Sequence, residues 1–183
     1  TRPHVHNALS ASMRDALAEA LSVAAATPEV EVHLRGDGPS FCAGGDLALT
    51  LPLLTGARNP ETEWDHRIVA DRSIMDRSAL RNVEIDKPII CAINGACLAG
   101  GMETMIATDL RIAAQDAIFG LPEAKRGLIP FAGSLVRLPR QIPHAVAMEL
   151  LLTGDFIDAD RALAIGLINR VVPQEEVLST AMG

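Results

Sequence analysis

The sequence predicts an α/β protein built from layers of short strands and helices. Residues 8–26 carry apolar side chains at helical spacing, whereas residues 88–93 form the continuous apolar run of a strand covered on both faces. The order strand, strand, helix recurs along the chain without a sequence repeat or a low-complexity tract. This order is typical of helices packed on sheets. The length of 183 residues fits one domain, residues 1–183, with a sizeable core.

Turn and capping residues divide the first half of the chain into elements. Asn7 or Ser10 can cap the first helix, and Asn94-Gly95 ends the apolar strand. A stretch rich in Pro, Gly, Asn and Thr indicates a loop before the second helix. The predicted elements are helix 8–26, strand 31–35, turn 36–39, loop 50–63, helix 64–82 and strand 88–93.

The second half is divided in the same way. Pro130 and Pro143 precede helices, Asp158 can cap a third helix, and Gly154 and Gly166 follow helix ends. The predicted elements are a helix opening near Gly100, strands 110–113 and 117–119, helices 133–137, 144–152 and 159–165, and strand 167–172.

Composition argues against several classes of function. The net charge is -7 and aromatic residues are only 3%, so the chain lacks the basic stripe and stacking platforms of a nucleic-acid-binding protein. Three cysteines without a Cys-x-x-Cys spacing indicate neither a disulfide framework nor a metal site. A reducing cytoplasm is the expected location. No apolar run approaches the ~18 residues of a membrane span, so we expect no membrane contact.

Two glycine turns and two glutamates are the candidate chemical groups. Gly45 lies in the turn 43–46 and Gly100 in the turn 99–103, and without a Cβ each backbone N–H can approach a ligand closely. Two such donors can hold a thioester carbonyl oxygen as it gains negative charge. Glu103 follows Gly100 by three residues, about 4.5 Å along a helix. Glu123 arrives from another turn, and two carboxylates can hold one water and divide its proton transfers.

These motifs, in this order, resemble the crotonase superfamily, specifically its enoyl-CoA hydratase/isomerase group. The resemblance covers nearly the whole chain, and its motifs are specific together although none is specific alone. The matching segments are 41–47, 87–95, 98–103, 108–113, 119–123, 127–130, 137–138, 152–154, 164–167 and 171–173.

The resemblance implies a spiral of β-β-α repeats that binds acyl-CoA, with coenzyme A as part of the substrate and no separate cofactor. It implies that Gly45 and Gly100 N–H groups hold the thioester oxygen, that Glu103 activates water, and that Glu123 protonates the α carbon. Relatives usually assemble as trimers or dimers of trimers, and we expect the same here. The family's C-terminal helical lid would follow Gly183, so we expect residues 1–183 to be the core domain without that lid.

The remaining expected contacts concern coenzyme A and the acyl chain. Relatives commonly have Lys or Arg at the position of His4, and Phe131 and Ser134 replace common glycines, which is expected to reshape the acyl pocket. The expected contact residues are His4, Val5, Ala43, Asp46, Leu47, Gly101 and Phe131. For Asp46 the turn suggests loop shaping as well as a contact with coenzyme A.

Three functions remain open at this point. Because both acidic positions are glutamate, the resemblance favours an enoyl-CoA hydratase. A double-bond isomerase, or another acyl-CoA lyase or hydrolase of the superfamily, is the alternative enzyme. A non-catalytic acyl-CoA-binding homologue is the third possibility, although binding alone needs no pair of acids.

Overall fold

A computed structural model describes all 183 residues as eight strands and nine α-helices, joined by turns and three short 3₁₀ turns. In chain order the elements are α1 (Ala11–Ala26), β1 (Val32–Arg35), β2 (Ser40–Cys42), α2 (Thr50–Thr55), α3 (Glu63–Ala70), α4 (Ser73–Arg77), β3 (Ile89–Ile93), β4 (Ala96–Leu98), α5 (Gly100–Met105), β5 (Leu110–Ala114), β6 (Ile118–Gly120), α6 (Ser134–Gln141), α7 (His144–Thr153), β7 (Ile157–Asp158), α8 (Ala159–Ala164), β8 (Arg170–Val172) and α9 (Val177–Met182).

The strands form two four-stranded sheets, ordered β1-β3-β5-β8 and β2-β4-β6-β7. In the first three successive pairs the first strand joins the β1 sheet and the second strand joins the β2 sheet, whereas in the fourth pair β7 joins the β2 sheet and β8 the β1 sheet. Neighbouring strands are parallel, except that β6 pairs with β7 in antiparallel fashion. Each repeat therefore adds one strand to each sheet, which confirms the predicted α/β class and the spiral of β-β-α repeats.

Several local predictions need correction. The strands β2, β4 and β7 were not predicted, because two or three residues are too few to show a period. The predicted loop 50–63 contains helix α2, where Pro52 lies in the first turn and its missing N–H costs no intrahelical bond. The helix predicted over 64–82 is two helices, because Asp71 adopts an extended conformation that ends α3.

The N-terminal helix α1 begins directly after Ser10, which is one of its two predicted cap residues. Ser10 is the cap of α1, since its hydroxyl oxygen accepts a hydrogen bond from the Met13 N–H at 3.3 Å. Asn7 is buried and instead donates to the carbonyls of Asp37 and Ser40, both at 2.8 Å. Asn7 thereby ties the N-terminal segment to strand β2.

The largest core cluster contains 22 buried residues drawn from both sheets and from several helices. Phe119 of β6 and Met102 and Met105 of α5 are fully buried within it. Each such side chain contributes about 1.5–3 kcal/mol of burial free energy. The core therefore fixes the end of β6 and the start of α5, the two points from which the candidate acids emerge. No helix is both long and apolar enough to cross a bilayer.

Candidate active site

A cavity of about 480 Å³ opens beside the two glycine turns, with mostly apolar walls and a few polar groups. This composition is typical of a small-molecule site. Most of the predicted site residues line it. They are Val5, Ala43, Gly45, Asp46, Leu47, Gly100, Glu103, Glu123 and Phe131.

The two glycine turns pack directly against each other. Gly44 has φ +98°, and a Cβ there would lie 2.5 Å from the Ala99 Cβ and 3.2 Å from the Gly100 nitrogen. No side chain fits in that space, so the sequence must have glycine at this position. Ala99 itself has φ +50° and ψ -127°, a conformation that non-glycine residues rarely adopt and that indicates stored strain. Its N–H donates to the Gly120 carbonyl at 2.9 Å, which holds the strained residue in place.

Two backbone donors face the cavity from these turns. Neither the Gly45 N–H nor the Gly100 N–H has a hydrogen-bond acceptor within the protein. The two groups are close, because a Cβ on Gly100 would lie 3.7 Å from the Gly45 nitrogen. The first turn is fixed by Leu9, whose N–H donates to the Gly44 carbonyl at 2.8 Å and whose carbonyl accepts from Asp46 at 3.1 Å. The arrangement offers two preorganised donors to one ligand oxygen.

Glu103 is almost completely buried, with 4% of its surface exposed, and one of its carboxylate oxygens is hydrogen-bonded to Ser134. Its Oε1 atom accepts a hydrogen bond from the Ser134 hydroxyl at 2.8 Å and another from the Ser134 N–H at 3.2 Å. Burial raises the pKa of Glu103, and the bonds from Ser134 oppose that rise. This carboxylate has a fixed orientation toward the cavity.

Glu123 has a different environment although it lines the same cavity. It follows β6 and Pro122, and its Oε2 atom is buried without a hydrogen-bond partner. Burial raises the pKa of Glu123 to about 7, and the negative charge of Glu103 acts in the same direction. A group with that pKa can give or take a proton at neutral pH.

Asp46 does not have the surroundings of an acid-base group. Its carboxylate accepts hydrogen bonds from Arg2 at 2.8 Å and from the N–H groups of Ala48 and Leu49, both at 3.1 Å. Burial acts against ionisation, but these donors together lower the pKa of Asp46. Asp46 therefore stays ionised and shapes the loop that follows the first turn, as the sequence suggested.

The structure leaves two of the expected contact residues outside the cavity. His4 is exposed in the short 3₁₀ turn Pro3–Val5, and only its neighbour Val5 reaches the cavity wall. Gly101 faces strand β2, because a Cβ there would lie 2.5 Å from the Cys42 carbonyl oxygen. Close approach of α5 to β2 accounts for this glycine. Phe131 lies at the opening of the cavity and is 61% exposed.

Sequence reasoning missed two polar residues of the site. Ser134 was noted only as a replacement for a glycine, yet it orients Glu103. Arg14 was not noted, although it is 6% exposed and lines the cavity. Its position could have signalled burial, since it lies three residues after Ala11 and seven before Leu21 on the buried face of α1.

Comparison with known proteins identifies the chain. A profile of the enoyl-CoA hydratase/isomerase family matches residues 1–183. The chain belongs to this family. An enoyl-CoA hydratase of Mycobacterium tuberculosis is 38% identical over 183 residues, which are 99% of this chain and 66% of that protein. A carnitinyl-CoA dehydratase of Citrobacter koseri is 44% identical over 146 residues, or 74% of this chain and 56% of that protein.

Solved structures of the enoyl-CoA hydratase/isomerase family have the same fold. An enoyl-CoA hydratase of Bacillus anthracis superposes with a TM-score of 0.84 at 34% identity, covering 100% of this chain and 67% of that one. A carnitinyl-CoA dehydratase of Mycobacterium avium gives a TM-score of 0.82 at 41% identity, with 100% and 68% coverage. The chain spans about two thirds or less of the length of the curated relatives it matches. These relatives are named as a hydratase and a dehydratase of CoA thioesters.

Proposed function

We propose that this protein is an enoyl-CoA hydratase, which adds water across the 2,3 double bond of a trans-2-enoyl-CoA to give a 3-hydroxyacyl-CoA. The observation that carries the proposal is the placement of Glu103 and Glu123 in one cavity with the free N–H groups of Gly45 and Gly100. This reaction requires a general acid, a general base and hydrogen-bond donors that stabilise the thioester oxygen. The names of the relatives support the same reaction class.

The proposed reaction assigns a different step to each group. Glu103, ionised, takes a proton from water while the water oxygen bonds to the β carbon. The π electrons of the double bond move onto the thioester oxygen, where the Gly45 and Gly100 N–H groups stabilise the enolate. Glu123, protonated, then gives its proton to the α carbon and the carbonyl re-forms. Each donor to the oxygen is worth about 2.7–4 kcal/mol by precedent.

Binding of the coenzyme A part is proposed along the first glycine turn. Ala43 and Leu47 line the cavity there, and Leu47 is 51% exposed, so its side chain is available for contact with a pantetheine chain. Phe131 at the opening is proposed to limit the acyl group. His4 and Gly101 take no part in this proposal, because they lie outside the cavity.

The working assembly is proposed to be a homotrimer or a dimer of trimers in the cytoplasm. Several large apolar side chains stay exposed on α6 and α7, including Val136 at 53% and Leu152 at 75%. Such surface is expected to be covered by further chain or by neighbouring subunits. Sedimentation of the full-length protein measures the assembly directly.

The direct test is an assay of the full-length protein with crotonyl-CoA and longer trans-2-enoyl thioesters. Hydration removes the absorbance of the conjugated thioester and yields a 3-hydroxyacyl product. A folded full-length protein that turns over no enoyl chain length would end the proposal. NMR of the product separates hydration from isomerisation, because an isomerase shifts the double bond and adds no oxygen.

A second candidate is the reverse reaction on a substituted substrate. The 44% identical relative is named carnitinyl-CoA dehydratase, so its printed name favours loss of water from a 3-hydroxyacyl-CoA. The residue roles would be the same with the directions exchanged. Comparing kcat/KM for plain and 4-substituted 3-hydroxyacyl thioesters distinguishes these substrates.

A further inference from the structure

Arg14 is a buried cation whose donors are mostly unused. It lies on α1 with 6% of its surface exposed, and it lines the cavity. Its Nη1 donates to the Ser78 hydroxyl at 3.3 Å, while the buried Nε has no partner. A guanidinium has five N–H donors, so most of its hydrogen-bonding capacity remains free.

The guanidinium lies beside both glycine turns. Its Nη2 atom would be 3.6 Å from a Cβ on Gly100 and 3.7 Å from a Cβ on Gly45. Those are the two residues whose N–H groups face the cavity without an acceptor. Three donors without an acceptor, the Gly45 N–H, the Gly100 N–H and Arg14 Nη2, therefore lie close together.

No carboxylate of the protein forms an ion pair with this guanidinium. Burial lowers its pKa, with Cys42 and Glu103 acting in the opposite direction, and a guanidinium nevertheless keeps its proton in proteins. A buried charge without an ion-pair partner carries a desolvation cost, which the charge of Glu103 offsets only in part. A ligand that becomes negative at this place would remove that cost.

We propose that Nη2 of Arg14 donates a third, charged hydrogen bond to the carbonyl oxygen held by the Gly45 and Gly100 N–H groups. The inference rests on the proposed function, because that function places a thioester oxygen between the two turns. As the π electrons move onto that oxygen, the guanidinium balances the new charge and gives up no proton. Arg14 is then a catalytic residue that acts most strongly on the enolate.

The charged donor has a kinetic consequence. A bond that strengthens only as the enolate forms lowers the barrier without tightening the binding of substrate. Arg14→Met should therefore reduce kcat by about 10²–10³ and change KM little. Arg14→Lys keeps the charge at shorter reach and should recover part of the loss.

The decisive measurement does not need turnover. The thioester p-dimethylaminocinnamoyl-CoA absorbs at longer wavelength when its carbonyl oxygen is polarised, and its extended conjugation disfavours water addition. The full-length protein should bind this probe with a red shift. Arg14→Met should bind it with most of that shift lost, and Arg14→Lys should give an intermediate shift.

Each other outcome has a separate meaning. An equal red shift in Arg14→Met and in the unmodified protein would overturn the assignment of Arg14 while leaving the hydratase proposal intact. A pH profile displaced in Arg14→Met with an unchanged red shift would assign Arg14 to ionisation of Glu103, and would also overturn it. Failure of the unmodified protein both to bind the probe and to turn over any trans-2-enoyl-CoA would overturn the proposed function, and this inference with it.

A control variant and a stability measurement exclude a packing effect. Arg67 pairs with Asp15 of α1 at 2.9 Å and lies outside the cavity, so Arg67→Met should leave the red shift unchanged. Arg14→Met should have a Tm equal to or above that of the unmodified protein, since an unpaired buried charge is removed. A Tm lowered in Arg14→Met, together with a retained red shift, would make Arg14 a structural residue.

Discussion

Glu103 and Glu123 are the same residue type in the same cavity, yet their surroundings differ. Glu103 is 4% exposed and accepts two hydrogen bonds from Ser134. Glu123 is less buried, one of its oxygens has no partner, and burial with the charge of Glu103 raises its pKa to about 7. The difference indicates a division of work, in which one carboxylate is oriented by the protein and the other is left free to exchange a proton.

The elements that carry the two glutamates, and the groups that contact their side chains, explain the difference. Glu103 lies on α5, which is buried on every side, and Ser134 at the start of α6 reaches it from a separate part of the chain. Glu123 precedes the exposed turn Ala124–Arg126 and has no donor of this kind. A fixed carboxylate suits the positioning of water, whereas a mobile proton suits transfer to carbon.

Removing the proposed proton donor, Glu123, should have the largest effect. Glu123→Gln cannot supply a proton to the α carbon, so we expect kcat for hydration to fall by about 10²–10⁴ while acyl-CoA binding is kept. Glu175→Gln changes an exposed carboxylate outside the cavity and is the matched control. Steady-state kinetics with crotonyl-CoA, together with calorimetric titration of a saturated acyl-CoA, measure both quantities. Near-normal kcat in Glu123→Gln would remove Glu123 from the mechanism.

The pH dependence should follow the state of Glu123. In the proposed mechanism hydration uses the protonated form of Glu123, whose pKa is raised to about 7, so kcat/KM for hydration should fall about tenfold per pH unit above that value. Dehydration uses the ionised form and should rise through the same range. Initial rates in both directions between pH 5 and 9 check the sign. A hydration profile that stays flat to pH 9 would contradict the assignment.

Removing one of the two hydrogen bonds that orient Glu103 should have a smaller effect. Ser134→Ala removes the 2.8 Å hydroxyl bond but keeps the N–H bond, so the charged form of Glu103 loses part of its support. Weaker support of the charged form would raise the pKa of Glu103 and reduce hydration about tenfold on the acid side of the profile, which corresponds to about 1.4 kcal/mol. Ser179→Ala, at an exposed hydroxyl of α9, serves as the comparison. Equal acid limbs in the two variants would show that Ser134 does not tune Glu103.

Local sequence signals located the two glycine turns and both glutamates, and the family resemblance implied their separate roles, but neither gave the physical cause of the difference between the two glutamates. The glycine turns and both glutamates were identified from residue type and spacing, because a turn without side chains is visible in one short segment. The raised pKa of Glu123 and the role of Ser134 come from contacts between residues distant in the chain. Ser134 lies 31 positions from Glu103, and no spacing rule connects them.

Contacts between distant residues also explain why some elements and residues were not predicted. The short strands β2 and β4 are stabilised mainly by pairing with each other and with β6, so their residues have no period of their own. Arg14 was overlooked because a charged residue in a helix is usually solvated, whereas here the turns and Ser78 enclose it. Tertiary contacts decided each of these cases.

The division of work between the two glutamates can be measured by isotope exchange without water addition. Butyryl-CoA has no double bond, so in D₂O the only reaction expected is exchange of its α hydrogens through the enolate. The unmodified full-length protein and Glu103→Gln should both incorporate deuterium at the α carbon, and Glu123→Gln should not. Exchange that persists in Glu123→Gln and disappears in Glu103→Gln would reverse the two roles and contradict the account.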